Sequence, residues 1–444
     1  MNKDLTHGAV APVLIRFTIP LFISVIFQQV YSLADSMIVG QFAGEEPLAA
    51  IGVSYPIVMI FMAVALGGNI GCSVTVSHLF GSKNYASMKT TVFTALTSFT
   101  VISGLLTVLG ALLTDAFLVM LNTPANIFDD ASTYLRIYMY GFVFVFMYNV
   151  CTGVFTSLGD SKTPLLFLIG SSVCNIALDL YFVAGLQMGV AGAAWATFIA
   201  QGGAAILAVV TLLLRMKAFR VDQPIAYFHW GSFRRIGYMA LPSIMQQSFV
   251  SVGNILIQSL INGYGSSTIA GVSSGLKLST FALTCLLTVG SGVSAFTAQN
   301  LGAGQYQRIK EGFKVGVVFT TALSIPFVIG LFVFAEQALQ LFLDATSVDA
   351  IATGKSFLWA VTPLFPLVSV KFISDNLLRG ADAMAGFVYS TLTDLLARVG
   401  LSFLLSAHLG FMGIAISWPI GWLIGTPVSL YFYRKWNRAQ APLT

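Results

Sequence analysis

Long apolar runs alternate with short polar breaks along the whole chain, and the alternation repeats twelve times. The runs fall at about residues 12–40, 48–77, 88–113, 131–157, 164–186, 190–215, 234–262, 268–297, 309–335, 353–378, 386–407 and 411–433. Each is long enough for a spanning helix, which needs about 20 apolar residues. An outer-membrane barrel would show short alternating segments instead. The pattern predicts an all-α polytopic membrane protein with twelve transmembrane helices, here numbered as spans 1–12.

The polar breaks sort by charge. With the N-terminus placed inside, Lys3, Lys83, Lys162, Arg215, Arg234, Arg308, Arg379 and Arg434 all fall on the cytoplasmic side. The opposite breaks collect Glu45, Glu46, Asp115, Asp129, Glu336 and Asp344, with Arg136 and Lys355 as the basic exceptions. Basic residues mark cytoplasmic loops, so both termini are expected in the cytoplasm, with the protein in the plasma (inner) membrane. The first run is too long for a cleavable signal, and no small-residue cleavage site follows it.

The chain also repeats itself. Gly81/Gly302, Tyr85/Tyr306, Lys89/Lys310, Gly159/Gly380, Gly189/Gly410 and Gly192/Gly413 all lie 221 residues apart. Pro20 in "FTIPLF" answers Pro242 in "MALPSI". One spacing held this far means a duplication. The expected organisation is a six-helix lobe at residues 1–215, a cytoplasmic linker at 216–233, and a second six-helix lobe at 234–444. Six is even, so both copies enter the membrane from the same side. Their expected relation is a pseudo-two-fold axis along the membrane normal, as in other parallel transporter repeats.

Composition excludes more than it identifies. The chain is 57% hydrophobic and 9% charged, against about a quarter charged in soluble proteins, so the soluble enzyme classes fall away. A net charge of +5 records orientation and calls for no nucleic-acid partner. The four cysteines form no CxxC pattern, and His7, His78, His229 and His408 form no HxxxH or HExxH pattern. There is no GxxxxGK[ST] loop. No cofactor, resident metal or nucleotide engine is expected, and no enzymatic activity. Met and Phe, at 14 and 36 residues, suit adaptable cavity walls for small cationic or amphipathic molecules.

The few charges inside the spans carry the chemistry, because each is costly in hydrocarbon and needs a partner or a task. Lys371 and Asp375 are one helical turn apart, and so are Asp394 and Arg398. These spacings predict two structural ion pairs within their own helices. Lys277 is left over, to line a cleft or counter an acid. Asp35 in span 1 and Asp179 in span 5 have no basic residue within one turn. Both helices run outward, and each acid sits about six residues before the outer loop, so the carboxyls reach matching depth. Tyr31 and Asn175 lie one turn before them, and Thr197 enters to similar depth from span 6. Two carboxylates, an amide, a hydroxyl and a phenol would make an oxygen-rich site for H⁺ or Na⁺. At the spacing of 221, Asp35 maps to Leu256 and Asp179 to Gly400, so this chemistry belongs to the first lobe alone.

At these residues the chain resembles the multidrug and toxic compound extrusion (MATE) family, nearer its DinF-like branch. The resemblance covers the whole length, including "LADSMIVGQF" of span 1 followed by "AAIGVSYP". It implies export of a drug or metabolite in exchange for H⁺ or Na⁺, through alternating access of a central cleft. It also implies that Asp35, Asn175, Asp179 and Thr197 form the cation site, with Tyr31 and Tyr134 in its hydrogen-bond network. Pro20 resembles the proline at which span 1 bends in that branch, and a mid-helix proline does free a carbonyl and permit a kink. The chain departs from the NorM-like pattern in span 7, which has no acid but only Gln246, Gln247 and Asn254. Small molecules and membrane lipids are the expected partners, and a monomer the expected form. The alternative is a flippase for a lipid-linked sugar or lipid in the same superfamily, which Lys277 and Lys371 would serve.

Overall fold

The computed structural model describes residues 4–440, apart from the side chain of Glu45, so Lys3 lies outside the described residues. Twelve helices are long and apolar enough to cross a membrane. They are spans 1 (Val10–Phe42), 2 (Glu46–Gly81), 3 (Tyr85–Met120), 4 (Ala125–Ser157), 5 (Lys162–Gly185) and 6 (Gly189–Ala218). The second half supplies spans 7 (Trp230–Tyr264), 8 (Ser266–Gly302), 9 (Tyr306–Val333), 10 (Val348–Gly380), 11 (Met384–Leu409) and 12 (Phe411–Gln440). A short helix, Ala335–Leu339, lies between spans 9 and 10. No strand occurs among the described residues. The helices outrun the apolar runs because polar residues continue the last turns beyond the hydrocarbon.

The duplication is written in the backbone as well as in the sequence. Gly44 and Gly265, Lys83 and Gly304, and Gly189 and Gly410 are pairs 221 apart, and all six residues have positive φ. These are sharp reversals between spans. Glycine enters the left-handed region without a Cβ penalty, and Lys83 is the position where one copy manages without it.

Two compact units result. The first is Ile23–Ile244; the second combines Leu5–Phe22 with the chain from Met245 onward. They differ from the segments 1–215, 216–233 and 234–444: the opening of span 1 belongs to the second unit, while the 216–233 segment and the opening of span 7 belong to the first. In both copies the boundary falls two residues after a proline, Pro20 or Pro242. A proline inside a helix removes one backbone hydrogen bond, so each span changes unit beside its weakest turn. The helix of span 1 nevertheless continues through Pro20.

Inside the first unit, Phe61, Phe99, Phe142 and Phe146 interlock edge-on or tilted, with centroids 5.2–5.8 Å apart. Phe142 and Phe146 are fully buried. Inside the second, Phe357, Phe365, Trp418 and Trp422 form the matching aromatic centre. Leu112, Leu166 and Val318 are exposed on their units, as expected of helices whose outer faces meet lipid rather than water. The two basic exceptions are both neutralised locally: Arg136 forks onto Asp115 at 2.9 and 3.1 Å, and Lys355 lies 3.5 Å from Glu336.

Candidate functional site

Four helices of the first unit bring the predicted residues together. Span 1 supplies Tyr31 and Asp35, span 4 Tyr134, span 5 Asn175 and Asp179, and span 6 Thr197. Asn175 is the hub. With its amide nitrogen facing acceptors, it donates to Asp179 Oδ2 at 2.9 Å and to the Tyr31 hydroxyl at 3.3 Å. Its oxygen accepts from the Thr197 backbone N–H at 3.1 Å. The Tyr31 hydroxyl also reaches the Thr197 side chain.

The Asp35 and Asp179 carboxyls lie within hydrogen-bonding reach of each other. Two carboxylates at that distance repel each other, so the pair gains from a proton or a cation held between them. Asp179 is completely buried. One oxygen on each acid, Oδ1 in both, is buried without a hydrogen-bond partner. Unsatisfied buried acceptors are uncommon and call for a reason. Tyr134 stands close enough to feel both acids and Tyr31, and it stacks on Tyr138 with centroids 6.2 Å apart. Two open carboxyl oxygens amid an amide and two hydroxyls form a hard-oxygen set, suited to a proton or an alkali cation rather than a soft metal. No cluster of three or more His, Cys, Asp or Glu side chains fit for a metal ion occurs among the described residues.

Span 5 holds a feature that no sequence signal announced. Its α-helix ends at Asp179, and a π-helical turn runs over Leu180–Gly185. Such turns are rare and gather at functional sites. This one starts directly after the acid, which re-aims the chain beyond it while leaving Asn175 and Asp179 on one α-helical face.

The second-lobe charges behave differently from their spacing. Lys371 donates to Asp375 Oδ2 at 2.7 Å, as an intrahelical pair should. It also reaches Asp394 Oδ2 at 3.6 Å, across from span 10 to span 11. Asp394 therefore does not pair with Arg398. Arg398 instead lies over the Trp418 ring at 4.3 Å, because span 12 offers it an aromatic face. The remaining oxygen of Asp375 accepts from Ser390 and Ser429, both at 2.7 Å. Span 12 admits the cluster through two glycines. A Cβ on Gly425 would stand 2.8 Å from Lys371 Cε, and one on Gly421 would stand 2.9 Å from Asp394 Oδ1. These four residues of spans 11 and 12 escaped sequence reasoning, since cross-helix partners leave no trace in intrahelical spacing. Lys277 contacts the Phe342 ring at 5.5 Å. With Lys371 committed to two acids, the basic groups that would favour a flippase are reduced.

Comparison with known proteins agrees with this architecture. The MatE family model matches residues 20–181 and again residues 242–404, once in each copy. A probable multidrug resistance protein of Bacillus subtilis, YpnP, is 27% identical over 437 residues, covering 98% of this chain and 97% of its own. A Shewanella oneidensis FAD transporter is 26% identical over 354 residues, covering 77% and 76%. Among solved structures, an outward-facing multidrug resistance MATE transporter superposes with a TM-score of 0.92 at 21% identity, covering 99% of both chains. A twice-matched family model, spanning most of both lobes, leaves one assignment: the chain belongs to the MatE family of multidrug efflux transporters.

Proposed function

We propose that this protein is a cation-driven antiporter that expels small cationic or amphipathic molecules by alternating access, with H⁺ or Na⁺ as the coupling ion. The supporting observation is the half-buried Asp35 beside the buried Asp179, a pair with no basic partner among the described residues and with one shielded, unpartnered oxygen on each acid near Tyr31, Asn175 and Thr197. A lone negative charge in hydrocarbon is unstable, so the pair takes up a cation whenever one can enter. Binding and release of that cation then bias the two states of the transporter.

The energetics suffice without a nucleotide. Export against a hundredfold gradient costs about 2.8 kcal/mol, at 1.4 per decade. One inward cation crossing 100 mV supplies about 2.3 kcal/mol, so one or two ions drive the cycle. The positive-inside pattern supports cytoplasmic termini and residence in the plasma membrane, and the transporter works as a monomer without a cofactor beyond its ion.

Efflux of a cationic dye from proteoliposomes, with H⁺ and Na⁺ gradients imposed separately, tests this. The wild type should respond to one of the gradients. Asp35→Asn and Asp179→Asn should each insert and fold but lose that response. Normal gradient-driven efflux by either variant would refute the assignment.

A further inference from the structure

The segment that joins the two copies is strapped along span 3. Thr91, Thr94 and Thr97 recur there at three-residue intervals, a hydroxyl rail that the cation site does not use. Thr97 donates to the Tyr227 carbonyl at 3.3 Å, and Thr91 donates to Ser232 Oγ at 3.1 Å. Between them the His229 backbone N–H donates to Thr94 Oγ1 at 3.0 Å. Lys89 fastens the start of the segment, donating to the Phe219 carbonyl at 3.0 Å. The chain thus runs along span 3 from Lys89 to Thr97 and back to Thr91. Lys89 and Thr91 are only about 3 Å apart along the helix axis. Both ends of the strap therefore return to one level, and bring Lys217, Arg220 and Arg234 there with them.

Span 3 also sets the depth of the strap. Towards its far end Asp115 holds Arg136 and Ser132. A hydrocarbon layer of about 30 Å takes about 20 helical residues, which puts the opposite edge near Ala95. Tyr227 and His229, held at Thr97 and Thr94, lie at that edge. Phe219, held at Lys89, lies about 9 Å beyond it, at the level of headgroups. The rings match this depth. Tyr227 packs edge-on against Phe93 at 5.4 Å and is still 74% exposed. Phe228, Trp230 and Phe233 cluster with centroids 5.4–6.4 Å apart, and Trp230 is 66% exposed. Tyrosine and tryptophan collect where headgroups meet hydrocarbon, because one end of each ring is apolar and the other is polar. Lys217, Arg220 and Arg234 are exposed, and none has an ion pair or hydrogen bond with a described residue. The one acid in the segment is Asp222.

We propose that this segment is a clasp for an anionic phospholipid, in the leaflet at the basic ends of the spans. Tyr227, Phe228 and Trp230 enter the boundary between headgroups and hydrocarbon, and Lys217, Arg220 and Arg234 bind the phosphate-bearing headgroup. Arginine forks and an ammonium suit phosphate oxygens. Three positive charges against one acid favour a lipid with net negative charge over a zwitterionic one, since each basic group near such a surface adds to the attraction. A free phosphate would satisfy the basic groups alone; a lipid also offers the rings an apolar partner at the same depth. The clasp stands on the membrane-spanning fold, not on the antiport reading.

Trp230 is itself the probe. The full chain is placed one copy per nanodisc, in equal parts of phosphatidylcholine and phosphatidylglycerol. One lipid at a time carries bromine near the top of its acyl chains, where it quenches nearby indoles. Subtracting the signal of Trp230→Phe isolates Trp230 from the other tryptophans. Brominated phosphatidylglycerol should quench it about threefold more efficiently than brominated phosphatidylcholine. The triple variant Lys217→Gln/Arg220→Gln/Arg234→Gln should bring the two lipids to equality while Trp230 stays quenched. Inorganic phosphate, added at constant ionic strength, should leave the preference in place; if it removes the preference, a free anion is the occupant and the proposal falls. Equal quenching in the wild type overturns it, and so does a preference that survives the triple variant. If neither lipid quenches Trp230, protein covers the rings and the proposal fails. Native mass spectrometry of the wild type from the same discs needs no variant. It should retain phosphatidylglycerol over phosphatidylcholine, and equal retention overturns the clasp.

Discussion

The two lobes share their turns and differ in their buried charges. Gly44 repeats as Gly265 and Gly189 as Gly410, with positive φ at each. Asp35 and Asp179, by contrast, have no acidic counterparts, and Lys371, Asp375 and Asp394 have no first-lobe equivalents as a set. In the first lobe two carboxyls face each other with no base among the described residues, and each keeps an oxygen without a hydrogen-bond partner. In the second, Asp375 is saturated by Lys371, Ser390 and Ser429. A carboxylate already neutralised by a lysine has nothing to gain from a mobile cation; an unneutralised one does. Duplication here preserved the geometry that the helices need and let the chemistry diverge.

The largest test of that contrast exchanges the charges one at a time. Asp35→Asn or Asp179→Asn should abolish gradient-driven dye efflux with little change in thermal stability. Asp375→Asn should do the reverse, retaining efflux while the melting temperature falls. Complete loss of coupling in a well-folded Asp375→Asn protein would show that the second lobe shares the task. Next in size is Lys371→Met, which strands Asp375 and Asp394 in a buried site. Breaking one partner from a buried ion pair costs about 3–5 kcal/mol, readable in thermal or denaturant unfolding. Adding Asp375→Asn to Lys371→Met should recover part of that loss.

These contrasts also mark how far the sequence could be read. The twelve spans were legible because hydrocarbon admits only long apolar helices with satisfied backbones. The meeting of Asp35, Asn175, Asp179 and Thr197 was legible because matching depth in a membrane removes one dimension from the search. Asp394 was not. Its spacing from Arg398 suits an intrahelical pair, but Lys371 on another helix approaches it and Trp418 takes the arginine. Short-range spacing states which residues can meet, and tertiary competition decides which do. The π turn after Asp179 left no mark because backbone slippage of this kind depends on packing rather than residue type.

A smaller difference separates the lobes at their polar ends. In the second unit Arg308 donates to the carbonyls of Leu5 (3.1 Å) and Gly8 (2.6 Å) and to Asn300 Oδ1 (3.0 Å). Leu5, 1% exposed, is seated in the core beside Phe296 and Ile309. The position 221 residues earlier is Ser87, whose backbone N–H is simply capped by Asn84. Charge-assisted hydrogen bonds are worth about 1.5–3 kcal/mol each when buried, and these are partly exposed. Arg308→Ala should therefore cost about 2 kcal/mol and speed hydrogen exchange over residues 5–9. Unchanged exchange there would mean that Leu5 alone holds the segment.

The smallest effect belongs to Asp160, whose second-lobe counterpart is Ala381 (160 + 221 = 381). Asp160 Oδ1 accepts from the N–H groups of Lys162 and Thr163 at 3.1 and 3.0 Å, and so caps span 5. Its Oδ2 accepts from the Thr163 hydroxyl at 2.6 Å and pairs with Arg215. Burial alone would push this carboxyl up, but the Thr163 hydrogen bonds and the Arg215 charge hold it below the usual carboxylate range. A group depressed in the folded state stabilises above its unfolded pKa, about 3.9 for Asp, and that contribution is lost as pH falls through the folded value. At pH 6, Asp160→Asn should cost about 0.5–2 kcal/mol, the usual worth of a cap. Since the amide cannot titrate, the stability gap between wild type and variant should begin to close below pH 4. Ala381 offers nothing to titrate, so the step reports on the first lobe alone. A gap that stays constant to pH 2 would assign the effect to shape rather than charge.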